Sequence, residues 1–317
     1  MIKKKAFILG VTGQDGSYMS KYLLNKKYSV FGFTRSKKKE NLKNLDTLKI
    51  TKRINLIKYN DDNPKIILKN ILRLKPNEIY FFSGQSSVNL SFKKPIETYE
   101  SNLIILFEIL ELLRLKNLIN IKLFNSSSTD CFGNNNNVFN SEKDLFYPMS
   151  PYAKAKGFSF WIVKFYRENY KIHAKSGVLS NHESPLRPTS FVLKRIINFA
   201  KNHKKNYLKL GNVKVFRDWG WAPEFIKAIY KINIAKIPND YVVGTGKLTS
   251  LKIIVQKIFK IKKISQKFLK TNTTKILRPL DVKKIGTNPK KINKELKWKS
   301  KININQIINK MLLNELY

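Results

Sequence analysis

Tyr152 and Lys156 stand four residues apart in the run Tyr147-Pro148-Met149-Ser150-Pro151-Tyr152-Ala153-Lys154-Ala155-Lys156. A helix opening here and running through Tyr170 carries both on one face near its start. An ammonium beside a phenol favours the phenolate and lowers its pKa, which makes the tyrosine a usable acid or base near neutral pH. This spacing also arises by chance, and alone it describes an ordinary helix face. Upstream, Asn125-Ser126-Ser127-Ser128-Thr129-Asp130 crowds hydroxyls and a carboxylate together, either for chemistry or as a serine-rich turn or helix cap. A third group, Gly10-Val11-Thr12-Gly13-Gln14-Asp15-Gly16, follows the apolar run Ala6-Phe7-Ile8-Leu9 and precedes Tyr18, Met19, Tyr22 and Leu23 at helical spacing. A buried strand turning through glycines into a helix aims free N–H groups and a positive dipole end at one spot, which suits a pyrophosphate. The spacing is G-x-x-G-x-x-G rather than the commoner G-x-G-x-x-G.

The elements that must position these groups alternate. After the glycine turn, Val30 to Phe33 reads as a second strand and Ile54 to Ile57 as a third, followed by Asp61-Asp62. Ile66 to Leu74 reads as an amphipathic helix ended by Pro76. Glu78 to Phe82 is an aromatic-rich strand leading into Ser83-Gly84-Gln85-Ser86-Ser87; a long helix from Tyr99 to Leu115 then precedes the strand Ile121 to Phe124. Such alternation predicts an α/β fold with a doubly wound, Rossmann-type parallel sheet whose ligands collect at the C-terminal strand ends. Where an NAD-preferring fold carries an acid after its second strand, this chain has Thr34-Arg35-Ser36-Lys37-Lys38-Lys39. Arg35 fits a 2′-phosphate and hence NADP, against the alternative of a solvated charge run.

Past Leu179 the elements shorten: Phe191 to Asn202, Tyr207 to Leu210, Pro223 to Ala235, Tyr241 to Val243, Ser250 to Phe259, and a last helix from Ile304 to Leu316. We expect residues 1–180 to form the NADP-binding domain and residues 181–317 mainly a smaller α+β substrate lobe, with some segments returning to the main domain. Asn134 to Asn137 reads as a surface loop.

Composition narrows the class. The chain has 317 residues, 42% of them hydrophobic, enough for a full core. No apolar run approaches the roughly 20 residues needed to span a bilayer, and Met1-Ile2-Lys3-Lys4-Lys5 leads straight into the first strand, so a cytoplasmic protein without a membrane partner is expected. A single cysteine, Cys131, gives no internal disulfide, and His173, His182 and His203 lack ligand spacing, so no metal site is expected. The net charge of +41 raises nucleic-acid binding as a competing class. Yet lysine is scattered through nearly every segment and far outnumbers arginine, which reads as compositional drift rather than a specific nucleic-acid surface.

Taken together, these stretches resemble the extended short-chain dehydrogenase/reductase family of nucleotide-sugar enzymes, most closely its GDP-mannose 4,6-dehydratase branch. The resemblance rests on Gly10 to Tyr18, Phe146 to Lys156, Asn181-His182-Glu183-Ser184-Pro185, Leu210-Gly211-Asn212 and Arg217-Asp218-Trp219-Gly220, and continues through Arg278-Pro279 and Asn288-Pro289-Lys290-Lys291. It spans nearly the whole chain, with the region from Lys260 to Thr274 shorter than the pattern. It implies a redox-neutral reaction in which a hydride leaves a sugar C4 for NADP+ while Tyr152, supported by Lys156, removes the proton of the C4 hydroxyl. A carboxylate then takes the C5 proton, water leaves from C6 and the hydride returns to C6, giving a 4-keto-6-deoxy sugar nucleotide.

The family's hydroxyl and carboxylate positions fall on Ser128 and Asp130, where threonine and glutamate are usual. Asp130 is one methylene shorter, and a misplacement of about 1 Å costs on the order of a hundredfold in rate. The resemblance further implies NADP contacts from Gly10, Gly13, Gln14, Asp15, Gly16, Arg35, Asp61, Asp62, Ser86, His182 and Arg187. Asn181, Arg217 and Arg278 would hold the GDP-sugar, the two arginines suiting a diphosphate or else a structural ion pair. His182 reads equally as a satisfied buried histidine. Ser87, Glu97, Leu186 and Trp221 depart from the family's usual residues. A homodimer or homotetramer is implied. Within the same family an epimerase or 4-ketoreductase would need only Tyr152 and Lys156; a basic nucleic-acid-binding protein is the alternative from another class.

Overall fold

The first apolar run is buried in strand β1 (Lys5–Leu9), and the glycine turn delivers a helix over Gln14–Asn25. Strands β2 (Ser29–Thr34) and β3 (Asn55–Lys58) follow, then a helix over Lys65–Leu74, closed by Lys75 in the left-handed region, and β4 (Glu78–Phe81). The computed structural model describes residues 3–59, 64–272 and 281–317. Strands β1 to β4 and β5 (Lys122–Ser128) join the strands Ala174–Leu179 and Tyr241–Val243 in one seven-stranded sheet. Its order is Tyr241–Val243, Ala174–Leu179, β5, β4, β1, β2, β3. Neighbours from β5 through β3 run parallel, with Ile8 in register with Gly32 on one side and Tyr80 on the other. The order reverses at β1, so the crevice beyond the C-terminal ends of β1 and β4 is the topological switch point where α/β sheets take ligands. Helices Lys65–Leu74, Ile105–Leu115 and Pro151–Tyr170 bury Ile67, Ile71, Ile109, Leu113 and Val163 against Phe7, Ile79 and Leu123. Each such side chain contributes about 1.5–3 kcal/mol by leaving water.

The chain divides into two units. One comprises Met1–Ser128, Ser150–Val178 and Ile226–Tyr241; the other comprises Thr129–Met149, Leu179–Phe225 and Val242–Tyr317. In the second unit the strand Phe216–Trp221 pairs antiparallel with Leu248–Ser250 and parallel with both Lys284–Thr287 and Asn181–Glu183. Helices Val192–Lys201, Leu251–Ile261 and Ile304–Leu313 cover a core containing Ile197, Trp219, Ile254, Phe259 and Ile308.

The two units therefore do not meet at a single boundary near residue 180. Residues 129–149 belong to the second unit because Phe139 and Asn140 extend its sheet beside Gly286 and Thr287. Residues 226–241 belong to the first, where Lys122 Nζ donates to the carbonyl of Ile234 at 3.3 Å. The helix expected from Tyr99 to Leu115 starts earlier, with Pro95 in its first turn, and is interrupted by a π-helical turn over Glu100–Ile104. Asn102 sits in that turn, with Nδ2 donating back to Thr98 O (2.8 Å) and across to Gln85 O (3.1 Å). The last helix stops at Leu313, where Asn314 adopts φ +58°. Among the described residues no helix is long and apolar enough to cross a membrane.

Candidate functional site

At the glycine turn the backbone itself is the device. Gly10 has φ +79°, and a Cβ there would lie 2.9 Å from the carbonyl carbon of Phe82 in the loop after β4. A Cβ on Gly16 would lie 2.2 Å from Gly10 O. Only hydrogen fits at either position. Gly13 N donates to Gly10 O at 3.1 Å to close the turn, and no side chain caps the helix at the exposed Gly13. Asn44 Nδ2 braces the turn through Thr12 O (3.1 Å), and Ser17 Oγ through Val11 O (3.0 Å). Gln14 is buried, with Nε2 donating to Asp15 Oδ1 at 3.0 Å. A cradle that excludes methyl groups and ends on an uncapped helix N-terminus fits a dinucleotide pyrophosphate.

Three further candidates, Arg35, Ser86 and Ser128, stand at the same edge of this sheet, and a fourth, Asp130, lies at the start of the second unit two residues after Ser128. Arg35 is exposed directly after β2. Ser86 is exposed in the loop after β4, where Gln85 is tied down by Ser101 Oγ (3.1 Å from Gln85 N) and Thr98 Oγ1 (3.1 Å from Gln85 Nε2). Ser128 is the last residue of β5, and Asp130 follows in the 3₁₀ turn Thr129–Cys131; both are half-buried.

The expected strand Ile121 to Phe124 in fact continues through all four polar residues to Ser128. The reason is that the first three of these side chains find partners inside. Asn125 Nδ2 donates to Ser159 Oγ and Ser176 Oγ, Ser126 Oγ to Phe81 O (3.1 Å), and Ser127 Oγ to Lys156 O (3.1 Å). The helix Pro151–Tyr170 begins where Ser150 Oγ accepts from Ala153 N at 3.1 Å and Pro151 takes a first-turn position, a strong start signal. That start puts Tyr152, half-buried, in the first turn and Lys156, buried, in the second. Lys156 Nζ donates to Ser126 O at 3.0 Å. The phenol and the ammonium are thus carried by one rigid helix clasped to β5.

In the second unit, Asn181 and His182 lie on the strand Asn181–Glu183. His182 is buried, its Nδ1 2.7 Å from Ser180 O and its ring stacked 4.8 Å from that of Phe225. Arg187 faces Glu183 (Nε to Oε2, 3.8 Å) and lies 3.9 Å over the Phe191 ring. Arg217 is buried, donating to Phe216 O at 2.8 Å and lying 3.6 Å from Asp281. Both arginines therefore have acidic neighbours within this unit. Asp61, Asp62 and Arg278 fall outside the described residues.

Two groups were not singled out from the sequence. Asp218 is almost completely buried and accepts from Thr245 Oγ1 (2.6 Å), Gly246 N (2.9 Å) and Thr287 Oγ1, while burial pushes its carboxyl above the usual range. It joins the turn after Val243 to the strand Lys284–Thr287. An acid inside the aromatic-rich run Phe216-Arg217-Asp218-Trp219-Gly220-Trp221 was the signal available. At the N-terminal ends of the first unit's strands, Glu78 accepts from Tyr28 Oη (2.7 Å) and Tyr80 Oη (2.6 Å). Lys175, fully buried, donates to Asn233 O; burial, then the Lys122 charge, brings its pKa down to about 7 against the opposing pull of Glu78.

Comparison with known proteins bears on the family and the fold. The pattern of the family described as GDP-mannose 4,6 dehydratase matches residues 7–311. GDP-mannose 4,6 dehydratase 2 of Caenorhabditis elegans is 31% identical over 341 residues, covering 99% of this chain and 89% of that protein. The Drosophila melanogaster GDP-mannose 4,6 dehydratase is 32% identical, with coverages of 98% and 85%. Among solved structures, the fold is similar to that of dTDP-glucose 4,6-dehydratase from Bacillus anthracis in complex with NAD (TM-score 0.85, 19% identity, 98% and 96% covered). It is equally similar to that of UDP-glucose 4-epimerase from Thermotoga maritima with UDP-glucose (TM-score 0.86, 18% identity, 98% of each chain). With a glycine cradle at the switch point, a tyrosine and lysine on one helix beside β5, and a family pattern running almost from end to end, the chain belongs to the GDP-mannose 4,6-dehydratase family.

Proposed function

We propose that this protein catalyses the NADP-dependent dehydration of a GDP-sugar, GDP-mannose, to the GDP-4-keto-6-deoxy sugar by internal hydride transfer. The observation that carries the reading is the clasp between β5 and the helix Pro151–Tyr170, which holds Lys156 by Ser126 O one turn beyond Tyr152. The family match over residues 7–311 supports it. When bound, the nicotinamide supplies reversible hydride storage. Gly10, Gly13, Gly16 and the helix beginning at Gln14 would hold its pyrophosphate, and Arg35 would bind the 2′-phosphate that separates NADP from NAD. Tyr152 Oη takes the proton of the C4 hydroxyl, Lys156 stabilises the phenolate that does so, and Ser128 supplies a hydroxyl to the same oxygen. Asp130 takes the C5 proton once the neighbouring ketone has acidified it. Asn181, Arg217 and Arg278 hold the nucleotide sugar.

Incubation with GDP-mannose and a catalytic amount of NADP+ tests this reading. A 4-keto-6-deoxy product without net reduction supports it; a C4-epimerised product, or stoichiometric NADPH consumption by a keto sugar, overturns it. The protein acts as a homo-oligomer. Phe158, Trp161 and Phe165 recur on the helix Pro151–Tyr170 yet are 50–60% exposed, and Ile104 and Phe107 are similarly open on the adjoining helix, where Phe107 meets Tyr166 at 6.0 Å. A second copy presenting the same stripe would bury this apolar face, so light scattering should return at least twice the chain mass.

A further inference from the structure

Asn125 is wholly buried in β5, yet it makes no contact that the reaction itself requires. Its Nδ2 donates to Ser159 Oγ on the helix Pro151–Tyr170 and to Ser176 Oγ on the strand Ala174–Leu179, each at 3.3 Å. Ser159 Oγ passes its own proton to the carbonyl of Lys156 at 2.9 Å, and Ser127 Oγ donates to the same oxygen at 3.1 Å. Ser159 therefore has only lone pairs left to offer. Asn125 must turn its amide nitrogen towards them, leaving its Oδ1 buried without a partner. An orphaned carbonyl costs about 1–3 kcal/mol, which a small apolar residue at this position would avoid. The polar choice is explained if the hydrogen bonds set something other than stability.

We propose that Asn125 is a positioning residue: by orienting Ser159 it fixes the Lys156 carbonyl, and with it the reach of the Lys156 ammonium towards Tyr152. The inference rests on the dehydratase reading of the Tyr152–Lys156 pair. Residues 125, 126 and 127 then act in sequence on one helical turn: Asn125 through Ser159, Ser126 through the ammonium, and Ser127 through the carbonyl. Ser176 is a separate arm that ties the neighbouring strand to the same amide.

The test compares wild type, Asn125→Leu, Ser159→Ala, their double variant and Ser176→Ala. One measurement is the pH dependence of kcat on GDP-mannose with NADP+; the other is an NMR titration of the Tyr152 phenol with isotope-labelled tyrosine, assigned with Tyr152→Phe. In Asn125→Leu and Ser159→Ala, the acidic limb of kcat and the Tyr152 titration should both move up by ~0.5–1 pH unit as the ammonium recedes, with kcat falling ~10-fold and KM changing less than ~2-fold. The double variant should be no worse than the poorer single variant, because both act on one path. Ser176→Ala should lower the melting temperature and leave both titrations in place. Coincident titrations in wild type, Asn125→Leu and Ser159→Ala would overturn the proposal and leave Asn125 a core residue. If wild type lacks dehydratase activity, the functional reading falls, while the NMR titration still decides whether Asn125 governs Tyr152.

Discussion

The ammonium of Lys156 lies 3.0 Å from the backbone oxygen of Ser126, so the charge on the helix is moored to the end of the adjoining strand rather than to solvent. A moored charge acts at a fixed distance. Replacing it with an uncharged chain of similar length, Lys156→Met, should keep the fold and lower kcat by ~10²–10⁴-fold, the span expected for losing general acid–base assistance. Steady-state kinetics with GDP-mannose, alongside circular dichroism, checks both halves of the statement.

Gly16→Ala should separate cofactor binding from chemistry. Its added methyl would lie 2.2 Å from Gly10 O, backbone that cannot swing aside, so the turn must open. A stability loss of about 1–3 kcal/mol is expected from such overpacking. NADP+ should raise the melting temperature of wild type and leave that of the variant unmoved.

Lys175 makes stability depend on pH in the direction opposite to a surface lysine with a partner. Its pKa falls from 10.5 unfolded to about 7 folded, so between those values the unfolded chain binds the proton that the folded chain has released. Stability therefore rises with pH through that window. Urea unfolding at stepped pH should show this rise in wild type and a flatter course in Lys175→Met, with the variant faring relatively better below pH 7.

Asp218 should be intolerant of its amide. It accepts from two threonine hydroxyls and the backbone of Thr245 and Gly246, so Asp218→Asn would set an NH₂ group among donors. One or more orphaned donors cost about 1–3 kcal/mol each. Hydrogen exchange should quicken at residues 244–247 and 284–287 while β1 and β4 keep their protection.

Much of the first unit was legible because its signals are local. Continuous apolar runs bounded by glycine and proline locate β1, β2 and β4, and Ser150-Pro151 marks the start of the helix bearing Tyr152. The glycine cradle could be anticipated from Gly10 and Gly16, although only the folded chain reveals which backbone atoms exclude a side chain there. The end of β5 was misjudged because hydroxyl-rich sequence reads as turn; its strand character depends on Ser159, Ser176 and Phe81, 34, 51 and 45 positions distant in sequence. Lys175 was invisible for the same reason, and Asp218 was signalled only by the aromatic residues around it, since burial of a charge is decided by which strands become neighbours. Arg187 and Arg217 were assigned from motif position, and their acidic neighbours Glu183 and Asp281 emerge only in three dimensions.

The polar lining of β5 also sets a limit for anyone who wishes to toughen this protein. Filling positions 125 and 127 with alanine or valine would suit a buried strand better and should raise heat resistance, yet it would unfasten the helix turn that those two side chains grip. Robustness and turnover pull against each other on this single strand, so efforts to harden the enzyme belong elsewhere, on surfaces that carry no share of the work.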